Sequence, residues 1–552
     1  METRQEGVAG LKQYKIKTFH IVFILYCLVA AGAFGIEEMI PAGGAGLTLT
    51  MLLVFAFIWA WPISNLVAEL GAVLPGEGGV YVWAREAFGE FWGFQAGWWA
   101  TLSVYITNSV YVVLVVEYLG HMIPINDVTA IIIKFSMIFL FTAINLLGIR
   151  EVGRVSTVLS LLVIAVFSIV TIVGIANWQY NPFVPFLASE EGVLTSIGGC
   201  ICICIWMYTG YEFISNVAGE LEDPQIIPRA LLLVMPLIAL TFFLPTMAGL
   251  ASVGNWESWA VGGEGSISYV DVITNNLGLW GGMLFMIVAV LSQCSIFNSF
   301  LAAGSRGFFV MADDNLFPPV LKKVSRRRGV PWVGILSLAL VTLFLSQFDF
   351  TTLVMAEVVF LLALYILIPV TLIRLRQKYP VAERNGRFVM PGKKVGLVFF
   401  TVMPIFIAVM TLLLSGTDYF MVGLAATASG PLFYFIFKRR YGGLYRVDAQ
   451  TYRLNPRTKM AFGDINRFAI YCLITGVFAV LGRSFLIWYE GNRGAAYYLA
   501  EYGQGLFSNF DTMLAVLLWG GVAFIALAAL LYSAGKHIER IPVTDANEID
   551  AI

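Results

Sequence analysis

The sequence predicts an all-α polytopic membrane protein of about 14 transmembrane helices, with two inverted five-helix halves and a broken helix opening each half. Three observations predict it. The 552 residues are 59% hydrophobic and 12% charged, against about 25% charged in soluble domains. The apolar residues gather in runs close to the roughly 20 that a span needs. Two runs lying five segments apart are interrupted, at Ala30-Ala31-Gly32-Ala33-Phe34-Gly35 and at Tyr208-Thr209-Gly210-Tyr211-Glu212. Lipid offers no partner to freed backbone N–H and C=O groups, so such breaks belong where protein or water surrounds the chain. An odd number of helices inverts one half against the other, and paired interruptions in corresponding segments point to a transporter binding site.

In order, the first six segments fall near His20–Ile40, Leu47–Leu74, Phe91–His121, Thr129–Gly148, Ser156–Ala176 and Gly192–Ala218. The next six fall near Ala230–Val253, Leu279–Met311, Trp332–Ser346, Thr352–Leu375, Val395–Leu414 and Phe420–Phe437. Two more, near Phe468–Tyr489 and Thr512–Ser533, follow a polar stretch. The expected organisation is a tail over 1–17, a twelve-helix body over 18–440 with repeats at 18–176 and 192–376, a linker over 441–466, two accessory helices over 467–535 and a tail over 536–552.

Charge sets the expected orientation, because cytoplasmic loops carry the excess of Lys and Arg. The N-terminal tail, Arg150 and Arg154, the run Lys322 to Arg328, the stretch Arg374 to Lys394 and Lys438-Arg439-Arg440 are basic. The intervening loops at 178–191, 255–278 and 347–350 contain no Lys or Arg. Every second loop is basic through the first twelve spans, which places both termini in the cytoplasm of a cell-membrane protein; the last pair departs from this, with Arg493 on the outer side. Arg483 lies inside the thirteenth segment and is expected to snorkel outward. The polar N-terminus lacks a short apolar core with a cleavage site, so no removable signal is read there.

Several function classes lose support. The six cysteines lie in apolar runs without C-x2-C spacing, which suits inert thiols rather than zinc ligands or a disulfide framework. Three histidines are too few for a multi-haem enzyme, and there is no phosphate-binding G-x-x-x-x-G-K-[ST] loop. No catalytic cluster stands out, so an enzyme is not expected, nor a cofactor, a structural metal or a nucleic-acid partner.

The breaks carry the chemistry. A broken helix presents free N–H groups with partial positive charge on one side and free carbonyls on the other. The second half of the first helix can take a carboxylate near Ala31, Gly32, Ala33 and Gly35, and the carbonyls near Tyr208 to Gly210 can take an ammonium. Glu37 and Glu38 would partly neutralise that positive end and repel an anion; they suit a cationic substrate, or they cap the half-helix or face outer water. Glu212, beside the second break, is an ionisable group at membrane depth and is expected to couple protonation or an amine contact to closure, with Glu37 as a second coupling candidate.

These segments resemble the amino acid–polyamine–organocation (APC) permease superfamily. Ala30 to Gly35 is similar to its first-helix motif, and Trp206-Met207-Tyr208-Thr209-Gly210-Tyr211-Glu212 to its broken sixth helix. The likeness continues through Ala218-Gly219-Glu220-Leu221-Glu222-Asp223-Pro224, Ile227-Pro228-Arg229 and Leu74-Pro75-Gly76-Glu77-Gly78-Gly79-Val80-Tyr81-Val82-Trp83. Gly32-Ala33-Phe34-Gly35-Ile36-Glu37-Glu38, Phe91-Trp92-Gly93-Phe94-Gln95, Asn108 and Tyr111 resemble its polyamine-uptake and plant L-amino-acid branch. The superfamily motif begins Gly-Ser-Gly where this chain has Ala30-Ala31-Gly32, so a hydroxyl donor is missing. Val163 stands where some members carry an ion-site lysine in the fifth helix.

The resemblance implies that Trp206 closes over the substrate, with Tyr208 or Tyr211 packed beside it and Asn108 and Tyr105 as lesser candidates. Ser292, Ser295, Asn298 and Ser299 either line the site, supply oxygens to Na⁺, or bond neighbouring helices. Lys134 is expected to snorkel past Asp127, and Glu357 to line an outer vestibule. The leading expectation is a secondary permease for amino acids working by alternating access. A polyamine transporter is the nearest rival, and a transporter-like channel or sensor is a reading of another class. H⁺ and Na⁺ both stay open as coupling ions, as does the oligomeric state.

Overall fold

A computed structural model describes residues 18–30, 32–120, 123–188, 192–221, 223, 225–262, 265–384, 387–450, 452–491 and 493–539. The predicted site residue Ala31 lies outside these residues. The chain is all-α. The first half comprises α1 (Thr18–Val29), α2 (Met39–Gly43), α3 (Ala45–Phe55), α4 (Trp61–Val73), α5 (Gly79–Phe88), α6 (Glu90–Gly120), α7 (Asp127–Asn145) and α8 (Ile149–Ala176). The second comprises α9 (Val193–Met207), α10 (Ile226–Val253), α11 (Tyr269–Asp313), α12 (Trp332–Leu345) and α13 (Phe350–Lys378). Beyond them come α14 (Lys393–Leu414), α15 (Thr417–Thr427), α16 (Ser429–Tyr441), α17 (Asp464–Glu490), α18 (Gly494–Tyr502) and α19 (Phe510–Glu539).

Twelve helices among the described residues are long and apolar enough to cross a membrane, against the fourteen expected. The predicted first and ninth segments are the difference. The first is split, so α1 has only 12 residues and continues after the break through a 3-10 turn at Ile36–Glu38 into α2. The ninth, α12, has 14 residues. The predicted eighth segment starts too late: α11 begins at Tyr269 and bends at Gly278, whose φ is 77°. The sequence reading also missed α5 and α18, two short helices between spans. In α3 and α4 the ladder loosens to a π-helical turn at Ala56–Ala60, a common place for a bend.

The two long helices α6 and α11 pack against each other at the centre, with α8 and α13 alongside. Hydroxyl and amide pairs stitch this core. Cys27 in α1 meets Ser160 and Ser295, Ser156 meets Ser299 at 2.9 Å, and Asn145 donates to Asn298 at 2.8 Å. The polar side chains Ser295, Asn298 and Ser299 of α11 therefore bond neighbouring helices, the structural alternative among the readings of that stretch.

Two other charged residues bond to backbone carbonyls near helix ends. Lys134 Nζ donates to the Ser346 carbonyl, 2.5 Å away at the end of α12. Arg483 donates Nε to the Leu514 carbonyl of α19, 3.2 Å away, and so helps hold the last two long helices together. Those helices join the body through Tyr434, which donates to Asp464 at 2.6 Å, and through Glu490, which accepts from the Thr417 backbone.

A candidate substrate site between two helix breaks

Both interruptions are real breaks, and they touch. The helical ladder of the first stops at Val29, and Gly32 and Gly35 take φ of 119° and 91°. The ladder of α9 stops at Met207, Gly210 takes φ of 107°, and the chain resumes as a 3-10 helix over Tyr211–Glu220. An L side chain rarely adopts these angles. At Gly210 a second reason for glycine applies, since a methyl group there would overlap the Leu28 carbonyl oxygen of α1. The two breaks are thus in backbone contact.

Glu37 turns back onto the break that precedes it. Its Oε2 accepts from the Gly35 backbone N–H at 2.8 Å, and its Oε1 accepts from the Tyr118 hydroxyl at 2.9 Å. Tyr118 also accepts from the Gly35 N–H at 3.3 Å. The positive start of the second half-helix therefore already holds a carboxylate from the chain itself. Glu38 caps elsewhere, accepting from the Val261 N–H at 2.9 Å.

On the α9 side, Trp206 lies across the first break, with its ring 3.0 Å from where a Gly35 Cβ would sit. It packs edge-on to Phe350, with ring centroids 5.5 Å apart, and beside Tyr111 at 5.9 Å. Its indole N–H donates to Glu357 at 3.2 Å, and Thr107 donates to the other oxygen of that carboxylate. Glu357 is therefore buried against Trp206 rather than lining an outer vestibule, a correction to the sequence reading.

Glu212 is buried beside the second break. One carboxylate oxygen accepts from the Tyr365 hydroxyl at 2.8 Å, and the same hydroxyl lies 3.3 Å from the Gly210 N–H. The other oxygen, Oε1, has no hydrogen-bond partner among the described residues. Tyr211 is buried with its hydroxyl also unpartnered.

Tyr208 does not flank Trp206. Its hydroxyl donates to the Leu52 carbonyl at 2.6 Å, and its ring packs on Phe242 of α10. Residues two apart on a helix do not share a face, which is why Tyr208 turns away. Asn108 donates Nδ2 to the Val104 carbonyl in its own helix, leaving Oδ1 without a partner among the described residues. Tyr105 stacks on Phe308, outside this cluster.

Between the breaks lies a cavity of about 10 Å³, lined by Val29, Ala30, Phe34, Tyr111, Trp206, Met207, Gln293 and Ile296. That is room for a single water at most. Gln293, missed by the sequence reading, is fully buried with both amide atoms unpartnered among the described residues. Its signal was an amide set among Ser292, Ser295, Asn298 and Ser299 in the same helix. A wider crevice of about 430 Å³ lies elsewhere, among α6, α13, α15 and α17; its lining contains no Asp, Glu, His, Lys or Arg. A buried, polar and pre-broken centre suits recognition of a small charged solute better than the apolar crevice does. Among the described residues no cluster of His, Cys, Asp and Glu could hold a metal ion.

Comparisons with known proteins bear on this geometry. The chain is 29% identical over 420 residues to the polyamine transporter RMV1 of Arabidopsis thaliana, covering 75% of this chain and 84% of that protein. It is 28% identical over 433 residues to the polyamine transporter PUT1 of Oryza sativa subsp. japonica, covering 76% and 78%. Its fold is similar to the crystal structure of MhsT in complex with L-phenylalanine, with a TM-score of 0.57 at 14% identity, covering 74% of this chain and all of that one. The family model for amino acid permeases matches residues 16–437 and stops short of the last two long helices. This chain, with its paired helix breaks, belongs to the amino acid permease family of the APC superfamily.

Proposed function

We propose that this membrane transporter is a permease for polyamines, working by alternating access in a cell membrane with both termini cytoplasmic. The observation that carries the substrate is the Glu37 carboxylate on the Gly35 N–H. An α-amino acid needs that positive half-helix start for its own carboxylate, and a second anion there would be repelled. A polyamine brings no carboxylate. It brings ammonium groups, and the centre offers them buried carboxylates: Glu37, Glu212 and Glu357 are each at most 2% exposed. Their hydrogen-bond partners are hydroxyls, an indole and backbone amides, none of them a cation.

In this reading one ammonium sits at the second break, between the carbonyls ending α9 and the unpartnered oxygen of Glu212. Gly32, Ala33 and Gly35 form the opposite wall, and Trp206 covers the solute with Tyr211 close by. Burying an ammonium is costly unless it is paired, so Glu212 both selects the cation and favours closure once it arrives. α1 and α9 with their continuations rock against α6, α7, α11 and α12. The kinship with two polyamine transporters supports the reading.

Amino acid transport is the second reading. It is favoured by the family description and by a fold similar to one solved with phenylalanine. Counterflow of labelled spermidine in proteoliposomes separates the two. Putrescine and spermidine are expected to compete while leucine and alanine do not; competition by leucine alone overturns the proposal. Saturable counterflow is the expected mark of a carrier, whereas conductance without counterflow would identify a channel.

A further inference from the structure

Glu357 has no part in the single-ammonium contact just described, yet it is a fully enclosed carboxylate beside the gate. It lies on α13, the same helix as Tyr365, which holds Glu212. Positions 357, 361 and 365 follow one another at intervals of four and so share one face of a helix. At 1.5 Å per residue, Glu357 and Tyr365 are separated by about 12 Å along the axis. One face of α13 thus carries Glu357 at one level and, through Tyr365, Glu212 at another.

Among the described residues no cation pairs with either acid. The Glu357 oxygens accept from Trp206 and Thr107, and the Glu212 oxygen from Tyr365. Isolated buried charges of one sign are expensive. A ligand carrying two positive charges at a fixed separation would relieve both. Trp206 lies between them in the chain of contacts, because its backbone belongs to the α9 end near Glu212 and its indole N–H holds Glu357.

We propose that Glu357 is the second ammonium contact, so that Glu212 and Glu357 read the two ends of an α,ω-diamine segment along one face of α13. This rests on the polyamine reading above and adds to it a rule of charge separation. Incoming ammonium would compete for the Glu357 oxygen held by the Trp206 indole, so binding of the far end of the substrate would also act on the gate. A monoamine would leave Glu357 bonded to Trp206 and gain only the Glu212 contact.

The test uses the full-length protein in proteoliposomes, with labelled spermidine displaced by alkyl monoamines and by α,ω-diamines of matched chain length. Wild-type protein is expected to prefer a diamine over its monoamine counterpart by at least tenfold, with an optimum chain length. Glu357→Gln is expected to erase that preference by weakening diamines while leaving monoamine competition unchanged, whereas Glu212→Gln weakens both classes. Equal weakening of both classes by Glu357→Gln overturns the second contact and leaves the polyamine reading standing. Wild-type protein blind to every amine but responsive to leucine overturns the polyamine reading itself. Should Glu357→Gln fail to fold, Glu357→Asp keeps the charge and withdraws it by one methylene. It is expected to shift the optimum to a longer diamine, and an unchanged optimum counts against the proposal.

Discussion

The carboxylates at the centre of the bundle and those at its basic end live under opposite rules. At the basic end every buried acid of the main cluster has a cation of its own. Glu69 accepts from Arg376 at 2.6 Å and from Arg384 at 2.5 Å, and Glu90 accepts from Lys438 at 2.6 Å. Asp314 pairs with Arg85, Glu86 with Lys378 and Asp464 with Arg467. Four of these pairs tie α4, α5 and α6 to α13, α16 and the turn after α13; Arg85 ties α5 to the end of α11, and the Asp464–Arg467 pair lies within α17. At the centre Glu37, Glu212 and Glu357 have only neutral donors among the described residues. These basic-end carboxylates bring their cations in the sequence, whereas the central three meet hydroxyls, an indole and a backbone N–H.

The largest way to break this contrast is at Glu69. Glu69→Ala would strand Arg376 and Arg384 at a buried site and is expected to destabilise by about 3 kcal/mol or more. A fall in thermal stability in detergent checks this; an unchanged melting temperature would show that the basic-end pairs do not hold the fold.

Glu212→Gln should act in the other sense. It is isosteric and removes no ion pair, so melting is expected to shift little. Amine uptake is expected to fall by tenfold or more, since a contact to a charged group contributes about 1.5–3 kcal/mol. Unaltered uptake and unaltered pH dependence would remove Glu212 from the site.

A smaller effect is expected from Trp206→Phe. The ring remains against Phe350, but Glu357 loses one of its two donors. Loss of one hydrogen bond, with the Thr107 donor to Glu357 kept, is worth about 1 kcal/mol, so half-saturating amine concentration should change roughly fivefold.

The smallest effect belongs to Glu86, on α5 outside the spans. Burial pushes its carboxyl up, but hydrogen bonds from Lys378 and Tyr379 outweigh it and hold the group below the usual carboxylate range. A depressed folded-state pKa gives stability that is full above the unfolded value near about 4.3 and is lost as pH falls through the folded one. The pair is partly exposed, so it contributes at most about 1 kcal/mol. On acidification from pH 7 toward pH 3, wild-type melting should fall slightly more than that of Glu86→Gln; an identical fall would mean the pair contributes nothing.

Much of this arrangement was legible in the chain. The apolar runs, the alternation of basic loops and the interruptions at Gly32, Gly35 and Gly210 require no long-range information, because bilayer thickness and backbone hydrogen bonding act locally. Glu212 was legible for the same reason, as an acid next to a break. Tyr208 was misplaced although helical geometry already sets it on another face from Trp206.

What the sequence determined by itself was a membrane protein with broken helices, and with acids where an acid is costly. Only the tertiary structure decided which groups those acids meet. Tyr118 is 81 positions from Glu37, Tyr365 is 153 from Glu212 and Glu357 is 151 from Trp206. Such partners are chosen by how helices cross, and no local pattern encodes a crossing. Packing likewise decided that Glu37 fills the half-helix start, which turned the substrate reading from a zwitterion toward a cation.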